Sequence, residues 1–266
     1  MSRQKSAPDP EKAWVAAGVD GCKSGWVCAG FDGGAWSLSL MPALQDIVER
    51  MTPGATVCVD MPIGLSADGF RTCDRDARRL LGPRRSSVFP APPRFAIAEA
   101  PYDAINARSK KEWGKGVSKQ AFYLLPKIRE VERCVLQTEK AGLAWLETHP
   151  ELCFASLNGG VPMTYSKKAD DGYSERFALI ARFLGRRFLG ELVASFETTV
   201  TRSACARDDI LDALVCAVVA HLEEDQRGYV PADTNEFDEI GLPMRIYYPR
   251  RTPASSRRRS AKEEGA

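Results

Sequence analysis

Histidine is scarce in this chain, since only His149 and His221 occur among its 266 residues. Two histidines are too few for a metal centre built mainly from imidazole ligands, and they leave little scope for a hydrolase triad that uses a histidine base. The eight cysteines form no CxxC pair, and several lie inside apolar runs, where a free cysteine packs as a small hydrophobic residue. These absences argue against a structural zinc site and against a disulfide framework.

Long apolar segments are also missing. No run approaches the roughly 18 residues of a membrane span, and the first residues, MSRQKSAPDPEK, lack the apolar stretch of a signal peptide. We therefore expect a cytoplasmic protein with no membrane partner. Its length and its 44% hydrophobic content suit one large domain. No feature specifies an oligomeric state.

Charge is balanced along most of the chain. The net charge is +2, and the basic excess belongs to the Ser/Arg/Pro-rich segment 250–266, which we expect to be disordered. Such a tail could contact nucleic acid, although it is more often a solvated end. The predicted organisation is a disordered tail over 1–12, a single domain over 13–249 with an insertion at about 66–142, and the basic tail.

Three short apolar or alternating runs open the domain, at 15–19, 26–31 and 35–40. Glycine-containing breaks separate them, which predicts an antiparallel meander. Helical spacing follows over 43–51, and then a buried strand at 55–59 and a strand within LAWLETHPE. The segment 66–142 is mainly helix and loop, 173–192 has helical spacing, DDILDALVCAVVAHLEE is an apolar helix, and GLPMRIYYP is a terminal strand or arm.

Acidic side chains follow these strands. Asp20 and Asp60 each end an apolar strand, Glu151 follows another, and Asp209 and Asp212 lie three residues apart on one helix face. If the strand ends are neighbours, these carboxylates converge, and a hard cation such as Mg²⁺ or Mn²⁺ would relieve their repulsion. A two-metal site of this kind can activate water for phosphodiester cleavage.

Structural roles remain open for most of these acids. Asp20 before Gly21 and Asp60 before Met61 could be turn residues, and Glu151 could simply begin a helix. A neighbouring acid, Asp208, is better explained as a helix cap. Asp212 resists such explanations, because its neighbours along the helix are apolar and an unpaired buried carboxylate is costly.

The order of these elements resembles the RNase H-like fold, whose mixed five-stranded sheet has strand order 3-2-1-4-5 and flanking helices. DDILDALVCA also resembles the D-x-x-D-A segment of the Holliday-junction resolvase branch, with Asp209 and Asp212 as its two acids. More closely, the chain is similar to the family called domain of unknown function 429, described as predicted nucleases with an RNase H fold. The strings that carry this resemblance span residues 15–248 and are GVDGCKSGWV, VDMPIGL, RTCDRDARRLLGPRRSSVFPAPPR, GKGVSKQAF, PKIREVE, THPELCF, SKKADDG, DDILDALVCA and GLPMRIYYP.

Cationic and polar residues of the insertion are candidates for contacts with substrate phosphates. The guanidinium group of arginine can donate two hydrogen bonds to one phosphate, and a glycine-rich loop allows the backbone to approach a phosphate closely. Several of the arginines, however, have acidic neighbours typical of a helix surface. Lys127 lies beside apolar Leu124 and Leu125 and either snorkels or neutralises the carboxylates. The substrate-binding candidates are Arg71, Arg84, Arg85, Lys119, Gln120 and Lys167, the last of which could simply be exposed.

The favoured hypothesis is a Mg²⁺- or Mn²⁺-dependent nuclease that acts on nucleic acid, with Asp20, Asp60, Asp209 and Asp212 as metal ligands and Glu151 in support. Two alternatives belong to other classes. One is a catalytically silent module that binds a nucleotide or nucleic acid. The other is an ATP-binding phosphotransferase, because GVDGCKSG also suits a phosphate hairpin. Those ATPases repeat the fold in two lobes, and this sequence has no second such hairpin.

Overall fold

A mixed five-stranded sheet forms the centre of the computed structural model, which describes residues 13–98 and 100–250. Apart from Arg250, the two predicted tails lie outside these residues. The strands are β1 (Trp14–Cys22), β2 (Gly25–Phe31), β3 (Trp36–Met41), β4 (Met51–Val59) and β5 (Ala144–Glu147). Their order is β3-β2-β1-β4-β5, which confirms the predicted α/β fold and strand order.

The pairing of the strands follows from the sequence pattern. β1, β2 and β3 form the predicted antiparallel meander, and Gly25 turns the chain between the first two with φ of 132°. β4 lies beside β1 and runs parallel to it, and β5 runs parallel to β4 on its other side, at the edge of the sheet. Parallel strands that are covered on both faces are apolar along their length, as in the buried run Val57, Cys58 and Val59.

Helices cover both faces of this sheet, and a helical region follows β4. Shorter 3-10 turns lie at 82–87, 94–97, 139–141 and 224–226, and a second sheet pairs two further strands, β6 (Arg227–Val230) and β7 (Ile246–Pro249). The helices are α1 (Leu44–Val48), α2 (Thr72–Leu81), α3 (Tyr102–Trp113), α4 (Lys119–Thr138), α5 (Pro150–Leu157), α6 (Asp170–Leu184), α7 (Arg186–Thr199) and α8 (Arg207–His221).

One face of the sheet packs directly on α8, in which every residue from Ile210 to Ala220 is buried. Gly18 of β1 makes this contact possible, because a Cβ there would lie 1.9 Å from the backbone nitrogen of Ala217 and 2.3 Å from the carbonyl oxygen of Ala213. On the opposite face, Trp26 and Val59 pack with Ile128 of α4. The sheet is therefore the middle of three layers.

Two predicted helices have different limits in the structure. Helical spacing over 43–51 predicted one helix, but α1 ends at Val48 and β4 begins at Met51. Met51 pairs with Trp14 of β1, whose N–H donates to the Arg50 carbonyl at 2.6 Å, so sheet pairing overrides the local pattern. The predicted helix over 173–192 is two helices, α6 and α7, because Gly185 between them has φ of 83°.

Within the described residues, no helix is both long and apolar enough to cross a membrane.

Candidate metal centre

Two strand ends and one helix bring three carboxylates together. Asp20 is near the end of β1, and Asp60 follows β4 directly, where its N–H donates to the carbonyl of Val19 at 3.0 Å. Asp212 lies one turn into α8, the helix that packs on β1. One carboxylate oxygen from each of the three lies within 4.8 Å of the others, so the cluster could hold a metal ion.

Burial and mutual repulsion make ionisation of this cluster costly. Burial raises the pKa of Asp20 well above its ordinary value, and the charges of Asp60 and Asp212 raise it further. Burial also raises the pKa of Asp60 to about 6, although His149 opposes the shift. The pKa of Asp212 is raised by burial as well, while Lys167 lowers it. Such a cluster accommodates its negative charge best when a cation is present.

Lys167 supplies a positive charge at the edge of the cluster. Its Nζ donates to Asp212 Oδ2 at 2.6 Å and lies 3.4 Å from Asp208 Oδ2. Burial alone would lower the pKa of Lys167, but Asp212, Asp20 and Asp208 raise it above its ordinary value. The predicted substrate-binding lysine is therefore an ion-pair partner of Asp212.

Metal binding should depend strongly on pH, because protons and metal ions compete for the same carboxylates. With the pKa of Asp60 at about 6 and that of Asp20 also raised, we expect Mn²⁺ affinity to fall as the pH drops from about 8 to about 5. Titration calorimetry over this range measures the effect, and an affinity that does not vary with pH would contradict it.

Stability of the metal-free protein should show the opposite trend. A carboxyl group whose pKa is raised on folding stabilises the fold fully below its unfolded pKa of about 3.9, and this stabilisation is lost as the pH rises through the folded value. For Asp60 that window runs up to about pH 6. Thermal unfolding in a chelator and in excess Mn²⁺ should therefore differ more at about pH 7.5 than at about pH 5.

The cluster lies in a cleft of about 660 Å³. This volume is within the range of small-molecule binding sites. Cationic and polar groups on its walls could face a phosphate, and an apolar part of the wall includes half-exposed Phe89. The cationic and polar groups include Arg84, Gln120, His149, Ser166, Lys167 and Lys168.

Glu151 lines the cleft but is committed to an arginine. Both of its carboxylate oxygens accept from Arg176 Nη2, at 2.9 and 2.7 Å, and Arg84 Nε lies 3.6 Å away. Arg84 also donates to the carbonyls of Met163 and Tyr165. Glu151 therefore helps to hold the cleft wall, and Arg84 is a partly exposed cation on that wall.

Asp209, and not Asp208, caps the start of α8. Asp209 Oδ2 accepts from the N–H of Ala206 at 3.1 Å and so caps α8, while Asp208 pairs with Lys167. The expectation that Asp208 is the cap is wrong, because the helix begins at Arg207 and its third residue is the one that reaches back. Asp209 still lines the cleft, and burial raises its pKa.

Lys127 binds backbone and an aromatic ring. Its Nζ donates to the carbonyl of Gly25 at 2.6 Å and lies 4.0 Å from the centre of the Trp26 ring. Its stem crosses Gly21, where an added Cβ would be 2.8 Å from Lys127 Cδ. Burial lowers the pKa of Lys127. The lysine therefore fixes the hairpin that carries Asp20, and its amine is directed at Gly25.

Arg71 is buried, and protein acceptors surround its guanidinium. It donates to Asp74, to Glu147 through both Nη1 and Nη2 at 2.7 Å, and to the carbonyls of Ile63 and Gly64. Burial raises the pKa of Glu147 to about 7 even though Arg71 opposes it. Glu147 pairs with Val59 across the sheet, so β5 also delivers a carboxylate beside β4, and Arg71 binds it.

The remaining residues predicted to bind substrate differ in whether they line the cleft. Gln120 is exposed and lines the cleft. Arg85 and Lys119 are also exposed, but neither is among the residues that line it. In the glycine-rich loop, the Lys115 carbonyl accepts from the Ser109 hydroxyl at 2.6 Å, so this segment folds back onto α3.

Sequence reasoning missed two residues that support the cleft and left the role of a third open. Arg176 sits in α6, where its spacing does not distinguish it from surface arginines, and Glu147 was overlooked inside LAWLETHPE. His149, whose role the sequence left open, lines the cleft and contacts the Ser87 carbonyl at 3.2 Å through Nε2. An acid at the end of a strand parallel to β4 was the available signal for Glu147.

Comparison with known proteins identifies the family to which this chain is similar. A family model described as "Protein of unknown function (DUF429)" matches residues 18–236, which is more than half of the chain. No curated protein and no solved structure matches the sequence.

Proposed function

We propose that this chain, which belongs to the DUF429 family, is a divalent-metal-dependent phosphodiesterase that cleaves nucleic acid. The observation that carries the proposal is the cluster of Asp20, Asp60 and Asp212, whose carboxylate oxygens lie within 4.8 Å of one another on the wall of a cleft. Three acids at this spacing, two of them buried and Asp60 partly exposed, destabilise the fold when they are ionised without a cation. A role in binding a cation explains why they are found together.

The donor set suits Mg²⁺ or Mn²⁺. All three donors are hard carboxylate oxygens, and the structure offers no cysteine or histidine at the cluster itself within the described residues. Such ions, when bound, lower the pKa of a coordinated water and stabilise a leaving oxygen in phosphodiester hydrolysis. Asp20, Asp60 and Asp212 would hold them, and Asp209 lies beside the cluster as an additional carboxylate.

Substrate phosphates would be held by the cationic wall. Lys167, Lys168 and Arg84 lie on the cleft, and their positive charges favour a polyanion there. Gln120 and Ser166 add neutral donors. Arg71, despite its place on the wall, acts as a positioning residue, because its donors bind Asp74, Glu147 and two carbonyls.

The two alternative functions make different demands. An ATPase of the two-lobed kind requires a second copy of the sheet, and the described residues contain one five-stranded sheet and one two-stranded sheet. A silent binding module needs no metal ligands, so it leaves the cluster of three carboxylates without a role. Metal-dependent hydrolysis therefore accounts for more of the site.

A substrate panel tests this function directly. Purified full-length protein is incubated with single-stranded, duplex and branched DNA and with RNA, each with Mg²⁺, with Mn²⁺ or with a chelator. We expect cleavage of at least one substrate with either metal and none with the chelator. If the protein binds Mn²⁺ but cleaves nothing, the silent binding module is the better description; if it binds neither metal, the proposed centre is wrong.

Lys167 should oppose metal binding while it assists turnover. Replacement by methionine, Lys167→Met, keeps the aliphatic stem and removes the charge that pairs with Asp212. We expect the Mn²⁺ dissociation constant to fall about fivefold, since an ion pair worth about 1 kcal/mol no longer has to be broken. Cleavage at saturating Mn²⁺ should slow, because a cation that faces the phosphate is lost.

The matched control for that experiment is Lys168→Met, which removes a neighbouring exposed lysine from the same cleft. Its Mn²⁺ affinity should equal that of the wild type, as measured by titration calorimetry. Weaker Mn²⁺ binding in Lys167→Met would show that Lys167 supports the ligands and does not compete for them.

A further inference from the structure

We propose that Cys22 and Cys205 are a redox-sensitive pair that closes to a disulfide between the β1–β2 hairpin and the start of α8. Both residues are buried, with 6% and 3% of their surface exposed, and both are free thiols. Both thiols belong to one core cluster, and a hydrogen bond joins the two side chains. Formation of the bond brings the two sulfurs to about 2.05 Å, and a pair of neighbouring thiols is its starting point.

A backbone hydrogen bond joins the chain segments that carry the two cysteines. The N–H of Ser24, in the hairpin turn, donates to the carbonyl of Ala204 at 3.2 Å, so the main chains on either side of the thiols are already joined. Cys205 Sγ also lies 3.6 Å from the carbonyl of its neighbour Ala206. The main-chain segments that carry the two thiols are therefore adjacent.

The bond requires a two-electron oxidant, for which a small peroxide serves. One cysteine thiolate attacks a peroxide oxygen, the O–O bond breaks, and a sulfenic acid and hydroxide form; the hydroxide takes up the proton that the thiol released and becomes water. The second thiol then attacks the sulfenic sulfur, a second water leaves, and the S–S bond forms. Two thiols and one hydrogen peroxide thereby give one disulfide and two waters, and the sulfurs are oxidised while the peroxide is reduced.

The disulfide would join two of the three elements that carry the carboxylate cluster. Cys22 lies two residues after Asp20 on β1, and Cys205 directly precedes Ala206, the residue that Asp209 caps at the start of the helix bearing Asp212. The bond would also close a very long loop, which restricts the unfolded chain. Bond formation stands without the proposed function, whereas an effect on metal binding rests on the proposed metal centre.

Oxidation of the full-length protein tests the pair. Reduced protein is treated with hydrogen peroxide, its thiols are counted under denaturing conditions, and the linked peptides are mapped by mass spectrometry. We expect the count to fall from eight to six, a Cys22–Cys205 peptide that loses about 2 Da, and a higher Tm that returns to its starting value with reductant.

Cysteine variants identify the pair. Cys22→Ala and Cys205→Ala should each prevent the bond and the rise in Tm, while Cys134→Ala, a matched change of a buried cysteine on α4, should preserve both. A count that stays at eight would overturn the proposal, as would mapping to another pair, for example within Cys58, Cys153 and Cys216, which share a core cluster.

Metal titration of the reduced and oxidised forms tests the coupling. A change of threefold or more in the Mn²⁺ dissociation constant supports it. Equal constants with the disulfide formed overturn the coupling but leave the pair standing. Absence of Mn²⁺ binding in both forms, with the disulfide formed, contradicts the proposed metal centre and not the thiol pair.

Discussion

Asp60→Asn should lower metal-dependent cleavage by more than about a hundredfold, because loss of a direct ligand should exceed the 10- to 100-fold effect of losing an outer-shell partner. The amide keeps the shape of the carboxyl group but removes one of three charges that converge within 4.8 Å. Unfolding of the metal-free protein should meanwhile occur at higher temperature, because burial and neighbouring acids make the Asp60 charge unfavourable at neutral pH. Activity and stability are thus expected to move in opposite directions.

Cleavage rate, Mn²⁺ calorimetry and thermal unfolding together check this result. The matched control is Asp103→Asn, which removes an exposed aspartate near the start of α3. It should leave all three measurements unchanged. A variant Asp60→Asn that retains full activity would remove Asp60 from the metal centre, whereas one that fails to fold would show that its carboxylate has a structural partner.

Arg71→Ala should lower the free energy of unfolding by about 3–5 kcal/mol, the usual cost of leaving a buried ion partner uncompensated. The arginine is 3% exposed and binds two acids, Asp74 and Glu147, that are themselves buried. Its loss also removes donors from the Ile63 and Gly64 carbonyls in the loop that follows Asp60. Denaturant unfolding measures the change.

An exposed arginine on the same helix provides the comparison. Arg79 pairs with Asp76, and its side chain is 74% exposed, so Arg79→Ala should cost no more than about 0.5 kcal/mol. The double variant Arg71→Ala, Glu147→Gln should recover part of the loss, because it removes one of the two stranded charges. Equal effects of Arg71→Ala and Arg79→Ala would mean that the buried network does not contribute to stability.

Much of the fold follows from local patterns. The meander, the buried strand before Asp60 and the apolar helix of Asp212 are each set by alternation, glycine breaks or an apolar run. The resemblance supplied the order in which they assemble, and the sheet confirms it. The convergence of Asp20, Asp60 and Asp212 was predictable for the same reason, because neighbouring strand ends meet at one edge of the sheet.

The partners of charged residues were harder to predict. Arg71 and Arg84 look alike in sequence, yet one is buried among carboxylates and carbonyls, and the other reaches the cleft. Which acid an arginine meets depends on contacts across 76 residues for Arg71 and Glu147, and 25 for Arg176 and Glu151. Spacing along one helix cannot encode such pairs, and the same limit concealed the contact between Cys22 and Cys205.

The missing side chain of Gly18 has a consequence for ion size. Because the strand carrying Asp20 touches the backbone of α8 there, the separation between the main chains that carry Asp20 and Asp212 is set by direct contact, with no intervening side chain to repack. A frame of this kind cannot easily widen for a larger cation. Discrimination between a small ion with ligand distances of about 2.1 Å and one that needs about 2.4 Å would then be a property of the backbone, established before any substrate arrives.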